Sequence, residues 1–194
     1  IWRKDNWTPR FKHGGLSSVF INPAYPMAAH PDMIFVNGQP LKQVASKAQV
    51  VAGTFYVDYA TKRLYIGTNP AGKTVEGAAF AQALRIDNAA GTVIRGLGFM
   101  HYASHRNDYG AVKSDSPKIT FENNTFAWNA AAGLGVLNRE NVVRGNSFAY
   151  NGLLGLTTFT AHRLVAERNR FAYNNQERFA VGWEAGGAKT PTTP

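Results

Sequence analysis

Residues 119–129 read Ile119-Thr-Phe-Glu-Asn-Asn-Thr-Phe126-Ala-Trp-Asn129, and the chain writes this pattern twice more. The second copy is Val142-Val-Arg-Gly-Asn146-Ser-Phe148-Ala-Tyr-Asn151, and the third is Leu164-Val-Ala-Glu-Arg-Asn169-Arg-Phe171-Ala-Tyr-Asn174. Asn124, Asn146 and Asn169 lie 22 and then 23 residues apart, as do the phenylalanines and the closing asparagines. A fixed period in the low twenties is the mark of a stacked repeat architecture and outranks any local reading.

Short β-prone runs such as Ile119–Phe121 are broken by Asn and Gly, with no helical period between them. Helical repeats need two helices and usually more than ~30 residues, and the dense leucines of a leucine-rich repeat are missing. Three short strands and three turns per period describe one coil of a parallel β-helix. Coils stack at the strand spacing of about 4.8 Å, which sets matching residues above one another. Phe126, Phe148 and Phe171 then form an internal aromatic column, each burial worth about 1.5–3 kcal/mol. Asn124, Asn146 and Asn169 form an amide ladder at a turn. The predicted fold is all-β: a parallel β-helix over 81–189, right-handed by the family resemblance given below, a loop and β-hairpin cap over 1–80, and a tail at 190–194.

Composition bounds the rest. A chain of 194 residues with 44% hydrophobic content is one domain, or one with a small appendage. No apolar run approaches the ~18–20 residues that span a bilayer, so no membrane partner is expected. The opening Ile1, with no leader-like apolar stretch after it, suggests a mature or trimmed product. Without cysteine there is no disulfide or thiol chemistry. A formal charge of +9 favours anionic partners: uronate polysaccharide, another anionic polymer, or nucleic acid. Nucleic acid is not expected, because the longest basic cluster is only Trp2-Arg3-Lys4 and no binding motif appears.

Residues 1–32 read as loop with short strands, Trp2, Trp7, Phe11 and Phe20 tucking against later elements. Met33–Val36 runs into Asn37-Gly38, a two-residue hairpin turn, and Thr54–Asp58 with Arg63–Ile66 form a second hairpin. Their expected task is to cover the open N-terminal end of the solenoid. Phe99 precedes Phe126 by 27 residues, so the surplus must stand out as a loop around His101–Tyr109. Such loops commonly carry function. At the other end Leu164, Phe171 and Phe179 are expected near an open edge that self-associates or frays.

The Asn-x-Phe-x-x-Asn repeats followed by Gly-Leu stretches resemble right-handed β-helix proteins that bacteria secrete, the pectate-lyase-like superfamily with its polysaccharide lyases and β-xylosidase-like relatives. The closing stretch from Asn174 to Lys189 resembles a segment of bacterial β-helix proteins as well. The likeness covers about residues 80–189. It implies a secreted carbohydrate-active protein with a polysaccharide, in particular an acidic one, as partner. Relatives continue through further coils, and the acidic pair of the β-xylosidase branch lies beyond a segment like this chain's last. The likeness therefore leaves open a fragment of a larger enzyme.

No metal spacing is legible beyond His101 and His105, and no resident metal or cofactor is expected. Calcium is the one ion the family resemblance admits, as a neutraliser of substrate carboxylate. A glycosidase needs two carboxylates at a defined separation, and Asp115 and Glu184 are the candidates, although three rungs lie between them. A lyase needs a base beside a charge neutraliser, for which Lys113, Arg106 and His105 stand ready. Along a groove on the strands at 110–115, 133–137, 155–160 and 179–184, Phe159 and Trp183 are expected to stack on sugar rings. Arg106, Asp108 and His162 complete the expected substrate contacts. Each of these residues also has an ordinary structural use. The competing reading is a non-catalytic polysaccharide-binding or structural module.

Overall fold

The computed structural model describes residues 1–190, so all but the first residue of the expected tail lies outside the described residues. From Leu84 onward four coils contribute three short strands each, and Gly186–Lys189 adds one more. Leu84–Asp87, Val112–Asp115, Leu134–Val136, Leu154–Thr158 and Gly186–Lys189 form a five-stranded sheet, every pairing parallel. Val93–Arg95, Thr120–Glu122, Val142–Arg144 and Val165–Glu167 form a second sheet. Gly98–Met100, Thr125–Ala127, Ser147–Ala149 and Arg170–Ala172 form the third. This is the expected parallel β-helix, and among the described residues its only helical segments are four short 3-10 turns.

The inward residues alternate with the pleat. Phe99, Phe126, Phe148 and Phe171 are paired in register and their rings stack at 5.2, 4.9 and 4.9 Å between centroids. Ile86, Val112, Leu134, Val136 and Leu156 fill the space opposite. Phe126 and Phe148 are wholly buried, whereas Phe171 keeps 37% of its surface open. The Gly-Leu motifs follow from this packing: a Cβ on Gly133 would sit 2.7 Å from the Phe126 Cβ.

The three corners of a coil share one device. Lys118, Glu140 and Arg163 mark the first corner, Asn123, Gly145 and Arg168 the second, and Trp128, Tyr150 and Tyr173 the third. All nine are left-handed, with φ between 53° and 65°. For a residue with a Cβ that conformation costs about 1–2 kcal/mol. At the second and third corners an asparagine follows and offsets it. The Asn124 N–H and Nδ2 both donate to Asn146 Oδ1, at 2.9 and 3.1 Å, and Asn146 repeats this toward Asn169. A second ladder runs Asn129, Asn151, Asn174 with the same geometry. The sequence repeat thus builds two amide ladders where one was expected.

Residues 1–79 carry the two expected hairpins. Ile34–Val36 pairs antiparallel with Gln39–Pro40 across Asn37 and Gly38, both at positive φ. Thr54–Asp58 pairs antiparallel with Arg63–Ile66, which also takes Trp2–Asp5 on its other edge. The first hairpin lies against the third corner of the coils. Phe35 stacks on His101 at 3.9 Å, and Ala28, in the 3-10 turn Pro26–Ala29 before the hairpin, packs with Ala131, Ala132, Leu153, Leu154 and Phe179. The segment is a strap along the flank of the solenoid. The small residues at 130–132 explain this, because they leave an apolar shelf that only another segment can cover. Phe179 is buried beneath that strap, not presented at an open edge as expected.

The ladders yield the first test. Asn146 is buried at the centre of its column, and its Nδ2 also donates to the Phe121 carbonyl at 2.9 Å. Asn146→Ala strands these partners and should lower stability by about 1–3 kcal/mol. Chemical denaturation measures this, and a midpoint equal to the wild type contradicts the ladder.

Candidate functional site

The outer face of the five-stranded sheet is built by alternation. Val112 and Ser114 are buried, which turns Lys113 and Asp115 outward. Register sets Lys113 beside Arg85, and Asp115 beside Asp87, on adjacent rungs. Two cations and two carboxylates therefore form parallel columns at one end of the face. Arg85 and Asp87 approach to 3.6 Å, while among the described residues no carboxylate pairs with Lys113, whose Nζ lies 5.7 Å from the Tyr109 ring centroid. Arg85 and Asp87 are the residues sequence reasoning missed. The signal was present: Leu84-Arg-Ile-Asp87 and Val112-Lys-Ser-Asp115 both follow an aliphatic residue with a base and, two positions on, an aspartate.

The loop at 101–110 folds back over this sheet. Gly135 has no room for a side chain because the Tyr109 carbonyl oxygen lies 2.0 Å from where its Cβ would be. The fold-back brings Arg106 to Glu184, Nε to Oε2 at 2.6 Å, and Lys189 Nζ reaches the other oxygen of Glu184 at 2.8 Å. Burial alone would raise the Glu184 pKa, but its two cations hold it below the usual carboxylate range. Arg106 also lies over the Phe20 ring at 4.2 Å, and Trp183 meets Phe20 edge-on at 6.3 Å.

The predicted site residues thus separate into groups. Lys113 and Asp115 share a rung with each other. Arg106 and Glu184 pair with one another, joined by Lys189. Glu184 and Trp183 stand in a turn, because the last strand is Gly186–Lys189 and not 179–184 as expected. Glycines 186 and 187 explain the shift, since Gly187 lies against Phe171 with room for little else. His105 is 2% exposed: its Nε2 contacts the Gly14 carbonyl oxygen at 3.0 Å, and burial lowers its pKa. Asp108 caps the short turn by accepting from the His105 N–H at 2.8 Å. Both residues anchor the strap and the loop. Phe159 and His162 lie beyond the end of the face strand, Phe159 half exposed and His162 exposed. Among the described residues no group of three His, Cys, Asp or Glu is placed to hold a metal ion.

A second feature lies on the flank. Between the strap and the third corner is a cleft of about 480 Å³. Tyr25, Lys42 and Gln43 line one wall, and Trp128, Tyr150 and Glu177 the other. Trp128, Tyr150 and Tyr173 stack at 4.4 and 5.0 Å, so the edges rather than the faces of Trp128 and Tyr150 meet the cleft. Glu177 packs over Gly152, whose missing Cβ would come 2.9 Å from its Cγ. Burial pushes the Glu177 carboxyl up to about 7, against the opposing pull of Lys42. The sequence held no sign of this, because the cleft depends on where the strap lies.

The Glu177 proton has a measurable consequence. Between the ordinary value of 4.5 and about 7, the folded protein keeps a proton that the unfolded chain releases. Stability from this group is full at low pH, falls through that window and levels off above it. Glu177→Gln should therefore gain stability relative to wild type as pH rises from about 5 to 8. Parallel melting curves at the two pH values would contradict the raised pKa.

Comparison with known proteins agrees with the geometry. The family model described as right handed beta helix region matches residues 82–184, just over half of the chain. Searches of curated proteins and of solved structures gave no match. The repeats, the three parallel sheets and the matched span together place this chain in the right-handed β-helix family.

Proposed function

We propose that this chain is a secreted β-helix protein of the pectate-lyase-like kind that binds an acidic polysaccharide along the outer face of its five-stranded sheet. The observation that carries this reading is the in-register pair Arg85 and Lys113, outward on adjacent rungs, with Lys113 unclaimed by any described carboxylate. Rungs repeat at about 4.8 Å, the scale of one sugar ring, so successive acidic groups of a polymer meet successive cations. The excess of basic residues over the whole chain attracts such a polymer at a distance.

Binding is favoured over acid catalysis at Glu184, because Arg106 and Lys189 hold that carboxylate ionised and occupied. A second reading, glycoside hydrolysis, draws on Asp87 and Asp115. These sit directly opposite on adjacent rungs, and a retaining pair needs a separation of about 5–5.5 Å.

Affinity measurements on polygalacturonate and on neutral xylan test both readings. The acidic polymer should bind, more weakly as salt is raised. Lys113→Ala should weaken it several-fold without moving the melting temperature. Unchanged affinity in that variant refutes the face as the binding site. Release of reducing ends that Asp115→Asn abolishes would establish hydrolysis.

A further inference from the structure

The flank cleft carries an inference of its own. Its volume of about 480 Å³ falls in the range of small-molecule sites, roughly 300–1,000 Å³. Its walls belong to separate parts of the chain. Lys42, steadied over the Tyr25 ring at 5.4 Å, comes from the strap, and Glu177 comes from the last corner of the solenoid. Lys42 acts on the Glu177 carboxyl through its charge, yet the two form no ion pair. Among the described residues the Glu177 carboxyl makes no hydrogen bond, in contrast to Glu184, Glu122 and Glu140, which are all paired. Gln43 lines the same cleft, 9% exposed, and its amide oxygen is buried with no partner. Arg178 adds a second cation to the lining.

Charged and polar groups that converge on a cleft without protein partners are free to meet the polar groups of a ligand. Two cations call for an anionic group, and a carboxyl that makes no hydrogen bond calls for hydroxyls; the Gln43 amide is held to Asp32 by its Nε2 at 3.2 Å. We propose that the flank cleft binds a small hydroxylated carboxylate, a sugar acid, with its carboxylate on Lys42 and Arg178 and its hydroxyls on Glu177. The aromatic edges of Trp128 and Tyr150 would bound its apolar side. The ligand class rests on the carbohydrate reading, but the site is separate from the sheet face and shares no residue with it.

Calorimetric titration of the whole protein with D-galacturonate and with D-galactose decides the matter. The acid should bind at least about tenfold tighter than the neutral sugar, the worth of one charge-assisted hydrogen bond. Lys42→Ala should erase that preference. Lys42 is an exposed side chain, so this variant should fold as the wild type does. Glu177→Gln should weaken both sugars. Equal binding of the two sugars, binding of neither, or an intact preference in Lys42→Ala overturns the proposal. Because Lys113→Ala reports on the polymer and Lys42→Ala on the monomer, either site can fail while the other stands.

Discussion

The structure depends on one recurring contact: an asparagine side chain on one coil that grips the backbone N–H of the coil before it. A three-cornered coil must reverse direction three times in 22 or 23 residues, and each reversal here uses a left-handed residue. That conformation exposes the next N–H toward the neighbouring coil, where it would be buried without a partner. Asn146 and Asn151 supply the partner from above and are themselves supplied by Asn169 and Asn174. The strands are only three to five residues long, so the corners, as much as the sheets, fix the register. The phenylalanine column then follows, since register determines which rings meet.

Because the corners fix where each strand begins, they also fix what faces outward. Lys113 and Asp115 project from one rung as Arg85 and Asp87 do from the rung before. The outer face of the second sheet shows the same logic with a different result. Arg95, Glu122, Arg144 and Glu167 alternate in sign up their column, and Arg95 and Arg144 both pair with Glu122. That face is internally neutralised. On the five-stranded sheet Lys113 pairs with no carboxylate among the described residues, and in this the two faces of one solenoid differ.

What the sequence made legible was whatever repeats. The period, the Phe column, the first Asn ladder and both hairpin turns follow from spacing and from residues suited to positive φ. The second ladder was visible in the same spacing, at Asn129, Asn151 and Asn174, but only the geometry of the corner showed that it closes. Contacts between the strap and the solenoid were not legible, because they join residues far apart in sequence with no period to align them. His105 illustrates this: a loop histidine beside Arg106 looks catalytic, yet Gly14 from the strap covers it. Phe179 and the shelf at Ala131 and Ala132 tell the same story, as does Glu177, whose unusual carboxyl exists only because the strap encloses it. In physical terms, repetition encodes the solenoid and its outer face locally, while the flank cleft arises where non-repeating chain crosses it.

Native-state hydrogen exchange at single-residue resolution tests the corner account most directly. The N–H groups of Asn124, Asn129, Asn146 and Asn151 each donate to an asparagine oxygen of the next coil. They lie at turns, where amides ordinarily exchange fast. If the amide ladders hold the coils together, these four should exchange only through global unfolding, as slowly as the central strand amides of Phe126 and Phe148. Exchange at the rate of the exposed corner residues beside them would show that the strands alone carry the register, and would contradict the account.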